Sequence, residues 1–311
     1  MIAELFKKTT LKSYFTSIII SFLSILFIHY CKNNGTLKID LFPRIFIFFI
    51  FFIGIIFLIS YLENKNSAIS FRSIHLLSFP LFYLFFPHGK EVGFIKIIIA
   101  TLIILSKYSY SRIFNEEKSY LRLFDLSFII VLLILYNVNL FLFLIIPITL
   151  LFYQKFRDLK HLVSFIIPLI SLPFVLALFE KIIIKKIDFF LNLNTWKIEE
   201  NFYYSESVWF VLIFISILSS IIFTPSRFEK VYSKVRYQGF TFMMFWLYIS
   251  IFMGYFGLQK GEDRWLLSFI PVAYFSGIFV EKIKSFKMRN TIIYLLFSIG
   301  VIFKLIENRI I

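Results

Sequence analysis

Between Leu258 and Pro271 the chain reads LQKGEDRWLLSFIP. Lys260, Glu262, Asp263 and Arg264 fall between two long apolar runs, and Trp265 follows directly. Charge this close to extended apolar sequence is costly unless it serves a purpose. Two further groups of the same kind precede it. Asp40 is followed one helical turn later by Arg44, and His88, Lys90 and Glu91 cluster after another apolar run. Carboxylates and cations on one water-facing surface suit a transfer reaction. A carboxylate can take the proton from an acceptor hydroxyl, while Arg and Lys grip the phosphate of a lipid-linked donor. Taken singly, each of these residues reads first as an ordinary loop charge, because clustered charges mark sites only statistically.

The elements that would position them are membrane spans. Hydrophobic residues make up 59% of the 311, charged residues only 16%, and the mean hydropathy is +0.85. A soluble domain is roughly 45–50% apolar. Lipid admits only helices or closed barrels. The apolar runs, such as Ile45 to Leu62 and Val208 to Phe223, are too long and unbroken for barrel strands. An all-α, polytopic transmembrane bundle follows, a single integral-membrane domain over 1–311. At about 1.5 Å of rise per residue, a span needs roughly 17–25 residues. Relaxing that rule for the shortest runs gives about eleven spans: 13–31, 41–62, 73–87, 93–106, 125–136, 139–153, 162–180, 207–223, 239–257, 265–281 and 290–306. Residues 125–153 also read as one long tilted helix, the alternative being two short ones hinged at Asn137-Val138-Asn139. No small-residue cleavage site follows the first run, which reads as a retained helix.

Lysines and arginines set the orientation. With the N-terminus cytoplasmic, the inner segments (1–12, 63–72, 107–124, 154–161, 224–238 and 282–289) carry 20 of them and the outer segments 10. This asymmetry accounts for the net charge of +15 as topology charge, so no nucleic-acid partner is expected. The longest outer segment, 181–206, opens with Ile183, Ile184, Ile187, Phe190 and Leu191 on one helical face and Lys185, Lys186 and Asp188 towards the other. That pattern predicts an interfacial helix over Ile182–Leu193. It is either a membrane-surface anchor or a lid over an outward-facing groove, and Trp196, Tyr203, Tyr204 and Trp209 suit an aromatic belt nearby.

Other chemistry finds no foothold. The sequence has no P-loop, dinucleotide-binding glycine fingerprint, HExxH or GxSxG motif. Cys31 is the only cysteine and the four histidines are scattered, so neither a metal centre nor a cofactor is expected. Few basic residues enter the spans: Arg44, Lys96 and Lys304.

The stretch QKGEDRWLLSFIPVAYFSGI resembles a segment of the polytopic GT-C type glycosyltransferases that use polyprenyl-phosphate sugars. In those enzymes a basic, acidic, Arg, aromatic and then proline-bearing run meets the lipid phosphate at the extracytoplasmic end of a late helix. Lys260, Glu262, Arg264, Trp265 and Pro271 stand at the matching places. The order of spans and basic connectors over 73–280 is similar too. The composition and outer Arg also look like polymerases of lipid-linked polysaccharide repeats. The resemblance implies a bacterial inner (cytoplasmic) membrane enzyme with a polyprenyl-phosphate-linked sugar as donor. Asp40 would be its general base, Lys260, Arg264 and Arg44 its lipid-phosphate contacts, and His88, Glu91, Glu262, Asp263 and Trp265 its supporting residues. The chain departs from the pattern in its first outer loop, Lys32 to Asp40, which is short and holds one acid. That departure keeps a second reading in view: a transporter, flippase or assembly scaffold acting with a membrane-protein partner.

Overall fold

The computed structural model describes residues 11–33, 42–65, 74–85, 94–114, 116–136, 138–153, 156–183, 204–222, 234–256, 265–283 and 285–307. Among them there is no strand. Eleven α-helices follow in order: α1 Leu11–Lys32, α2 Phe42–Lys65, α3 Ile74–Tyr83, α4 Phe94–Ile113, α5 Ser119–Tyr136, α6 Ile145–Leu151, α7 Leu159–Ile183, α8 Tyr204–Ile222, α9 Lys234–Tyr255, α10 Leu266–Lys282 and α11 Phe286–Glu307. A 3-10 segment, Val138–Leu144, joins α5 to α6. Two stretches of the described residues are long and apolar enough to cross a membrane, Leu11–Cys31 and Phe286–Ile306. Shorter apolar helical stretches cover Ile45–Leu58, Leu140–Leu151, Leu159–Val175, Val208–Ile222 and Leu267–Val280.

Two segments differ from the sequence expectation, and a third settles an open choice. The apolar run 73–87 holds a helix of only ten residues, which rises about 15 Å and ends in a turn at Leu84 and Phe85. The connector expected over 107–124 shrinks to a few residues, because α4 continues to Ile113 and α5 already starts at Ser119. Hydropathy fades after Ser106, but Lys107, Tyr108 and Arg112 are compatible with a continuing helix. Ser106 and Ser111 turn their hydroxyls onto the carbonyls of Leu102 and Tyr108. Between 125 and 153 the hinged alternative is the one adopted. Pro147 is the third residue of α6, where its missing N–H has no helical acceptor to lose. Its ring would clash with the carbonyl of Phe143 in a straight α-helix, and the 3-10 segment ends just there, at Leu144.

The helices group into two compact units. The first comprises 1–97, 201–231 and 265–311, with α10 packed along α3 and α8, and α3 in turn on α1, α2 and α11. At its centre Phe269 meets Phe52, Phe79, Tyr83 and Trp209, all with ring centroids within 6.2 Å. Gly300 of α11 lies where the helix passes the end of α3. A Cβ there would stand 3.0 Å from the Leu84 Cβ and 3.2 Å from the Phe85 ring. The second unit comprises 98–200 and 232–264. Here α5 packs along α7 and the 3-10 segment, and Tyr110 of α4 meets Phe242 of α9 at 5.5 Å.

Gly300→Ala tests the close approach. Overpacking costs about 1–3 kcal/mol, more than the ~1 kcal/mol alanine gains over glycine within a helix. The melting temperature in detergent should fall. Gly54→Ala, with nothing within 4 Å of the added Cβ, should leave it unchanged or raise it.

Candidate functional site

Of the residues singled out in the sequence, Asp40, His88, Glu91, Lys260, Glu262, Asp263 and Arg264 lie outside the described residues. So does the expected interfacial helix beyond Ile183, the last residue of α7. Arg44 is placed as the third residue of α2, in its first turn. Trp265, in the first unit, is described in full.

Trp265 is the N-cap residue of α10, and its indole is entirely buried. Its ring packs edge-on against Phe210 of α8 at 4.9 Å. Its carbonyl accepts from the Ser268 N–H at 2.9 Å and from the Ser268 hydroxyl at 2.6 Å. The Ser268 oxygen accepts in turn from Trp209 Nε1 at 3.0 Å. Two turns further along α8, Ser216 reaches the Val272 carbonyl at 3.3 Å and the Ser276 hydroxyl at 3.2 Å. The first turn of α10 is thus pinned to α8 by one indole–hydroxyl–carbonyl chain and two aromatic pairs, Phe210–Trp265 edge-on and Trp209–Phe269 stacked. Trp265 itself is fully enclosed in this packing.

A polar cluster that sequence reading did not single out lies in the second unit, around the joint of α4 and α5. Glu116 accepts from Arg122 Nε at 2.6 Å and from Arg112 at 3.2 Å, and Arg122 also reaches Asp125 at 3.2 Å. The Arg112 guanidinium sits 4.7 Å over the Tyr108 ring. Behind this network Ser119 and His161 share a hydrogen bond of 2.8 Å. The imidazole lies against Phe156 at 5.3 Å and Tyr120 at 6.4 Å. A hydroxyl on an imidazole is the arrangement of an activated nucleophile. Here both residues are buried beneath aromatic rings, so the pair ties the start of α5 to the start of α7. The signal was present in the sequence as the i,i+4 spacing of Arg112 and Glu116 and the i,i+3 spacing of Arg122 and Asp125. The cluster and the predicted charges belong to opposite ends of their helices: Glu91 precedes α4, whereas Arg112 lies in its last turn.

The electrostatics of the network are unequal. Arg122 above all holds the Glu116 carboxyl below the usual carboxylate range; burial opposes it, and Arg112 adds a smaller lowering. The same pairing raises Arg122. Among the described residues no group of three His, Cys, Asp or Glu could hold a metal ion. Comparison with protein-family models, with curated proteins and with solved structures finds no match to this chain.

The network makes stability pH-dependent in one direction. Glu116 ionises at lower pH folded than unfolded. Its pairing is therefore fully stabilising above the ordinary carboxylate range and is lost as pH falls through its lowered value. Glu116→Gln should lower the melting temperature at neutral pH by an amount equivalent to about 1 kcal/mol or less, given the partial exposure of the pair. The difference from the native chain should vanish in acid. A difference that grows on acidification would contradict this assignment.

Proposed function

We propose that the chain is a multi-pass inner-membrane protein, N-terminus cytoplasmic, that transfers sugar from a polyprenyl-linked donor to an extracytoplasmic acceptor. The observation that carries the membrane part is an inverted surface. On α1, Ser13, Ser17, Ser21 and Ser24 are buried while Phe15, Ile19 and Leu23 are exposed. On α8, Ser216, Ser219 and Ser220 are buried while Val211, Phe214, Leu218 and Ile221 are exposed. The hydroxyls on α8 bond back to carbonyls of their own helix, Leu212, Ile215 and Ile217. Water would drive these two sets of side chains the other way. Lipid tails are as apolar as leucine, so helices in a membrane associate through small residues and turn their large apolar side chains outward. On α7 the exposed set runs Leu162, Val163, Ile166, Ile167, Ile170 and Phe174, extending the pattern to the second unit. About eleven spans of this kind give the topology in which the positive-inside distribution is satisfied.

The transfer reaction rests on the charged stretch and its resemblance to the GT-C segment. Lys260 and Arg264 hold the donor phosphate, Asp40 removes the acceptor proton, and Arg44 supports the phosphate from the start of α2. The pinned first turn of α10 supports this reading. A phosphate contact must be held within a fraction of an ångström to act in transfer, and Trp265, the next residue in sequence after Arg264, is capped into α10 and packed on Phe210.

Cells carrying Asp40→Asn or Arg264→Ala, with the protein still present in the membrane, should lose the glycoconjugate made by the native chain. Loss of a general base alone costs about 100- to 10,000-fold in rate. A polymerase of lipid-linked repeats would respond to Arg264→Ala and not to Asp40→Asn. Unchanged glycoconjugate profiles for both would end the transferase reading in favour of a transporter, flippase or assembly scaffold.

A further inference from the structure

Two prolines stand inside α7, Pro168 and Pro173. Each lacks the N–H that would reach back four residues, so the carbonyls of Ser164 and Leu169 lose their helical donors, and each ring presses on that same carbonyl. Sharp bends in helices fall at such places. The packing of α7 changes at the same point. His161, Ser164 and Pro168 are buried along one face, and His161 is bonded to Ser119 at the start of α5. From Leu169 to Val175 no side chain is buried. Ile170 and Phe174 are 66% and 62% exposed, and Leu172, which continues the inward face one turn after Pro168, is partly exposed.

The loss of burial is not caused by α5 coming to an end. The two helices are tied at their starts and pack along one another, so they run in the same direction. α5 continues to Tyr136, roughly five turns past Ser119, whereas burial on α7 stops at Pro168, about two turns past His161. In water an apolar half-helix held away from its neighbour would be expensive. In a bilayer it is not, because lipid tails are as apolar as leucine, and two of the hydrogen bonds that would resist bending are already missing. Docked and undocked arrangements of this half are therefore close in free energy, which is the condition for populating both. We infer that α7 is a hinged helix. Its first half is fixed on α5, and its second half, from Leu169, pivots at Pro168 and Pro173 to open and close the flank of α5 towards lipid. The inference uses the membrane reading of the chain and is independent of the transfer chemistry.

The test is a pair of distance distributions, measured by pulsed electron paramagnetic resonance on the full chain in nanodiscs with Cys31 replaced by Ser. Spin labels at Leu121→Cys and Val175→Cys span the hinge, and labels at Ile134→Cys and Val163→Cys join the same two helices on the fixed half. Val175 lies about 10 Å along the helix from Pro168, so a swing of ~20° moves its label by about 4 Å. The Leu121–Val175 distribution should be broadened or split on that scale, and the Ile134–Val163 distribution should be narrow. Pro168→Ala with Pro173→Ala restores both N–H groups and should narrow the first distribution while leaving the second unchanged. Equal widths for the two pairs in the chain with both prolines would mean a fixed bend and overturn the inference. Breadth that survives the loss of both prolines would overturn it as well. Should the double variant fail to fold, Pro168→Ala and Pro173→Ala singly decide: at least one must narrow the Leu121–Val175 distribution, and narrowing by neither overturns the hinge. A chain that does not enter nanodiscs would overturn the membrane reading and the hinge together.

Discussion

The contact on which the first unit depends is the one between the starts of α8 and α10. Trp209 donates to Ser268, Ser268 donates to the carbonyl of Trp265, and Phe269 sits beside them at the meeting point of five aromatic side chains. In a low-dielectric interior an indole N–H or a hydroxyl without an acceptor is expensive, and this chain satisfies both at once. The aromatic rings supply the area and the hydrogen bonds supply the register. Sliding α10 along α8 by one turn would break the Trp209–Ser268 bond and the Ser216–Val272 and Ser216–Ser276 contacts together.

The second unit solves a different problem, namely how to join helices at a polar boundary. Glu116 draws Arg112 from the end of α4 and Arg122 from the first turns of α5 onto one carboxylate. Ser119 and His161 extend the tie to α7. The charges neutralise one another at the joint, and Phe114, just past α4, packs on Phe156 and Tyr153 with centroids 5.0 and 5.7 Å apart. The result is a joint suited to holding helices in place.

Much of the helical architecture was legible because lipid-scale apolar runs leave few alternatives to a helix. A helix overlies ten of the eleven apolar segments read from the sequence, and over 139–153 the 3-10 segment and α6 share the run. What hydropathy could not give was where helices end when polar residues continue them, as at Lys107 to Ile113, or stop short, as at Tyr83. The hinge near Asn137 was legible as one of two choices. The choice itself turned on Pro147, whose ring acts on a carbonyl four residues earlier. The charged candidates followed from their position beside apolar runs, and all but Arg44 and Trp265 lie outside the described residues. The Glu116 network was passed over because its spacing looks like any solvated helix face. The burial of the Ser119–His161 pair depends on a contact between residues 42 apart, which no local pattern encodes.

The claim on which the rest stands is the topology, and single-cysteine labelling in intact cells tests it most directly. With Cys31 replaced by Ser, a membrane-impermeant maleimide should label Glu262→Cys in intact cells. It should label Arg157→Cys only after the membrane is opened. Reversed labelling would turn the chain over and place the charged stretch out of reach of an extracytoplasmic acceptor. Equal labelling of both positions, or recovery of the chain in the soluble fraction, would contradict the membrane account itself.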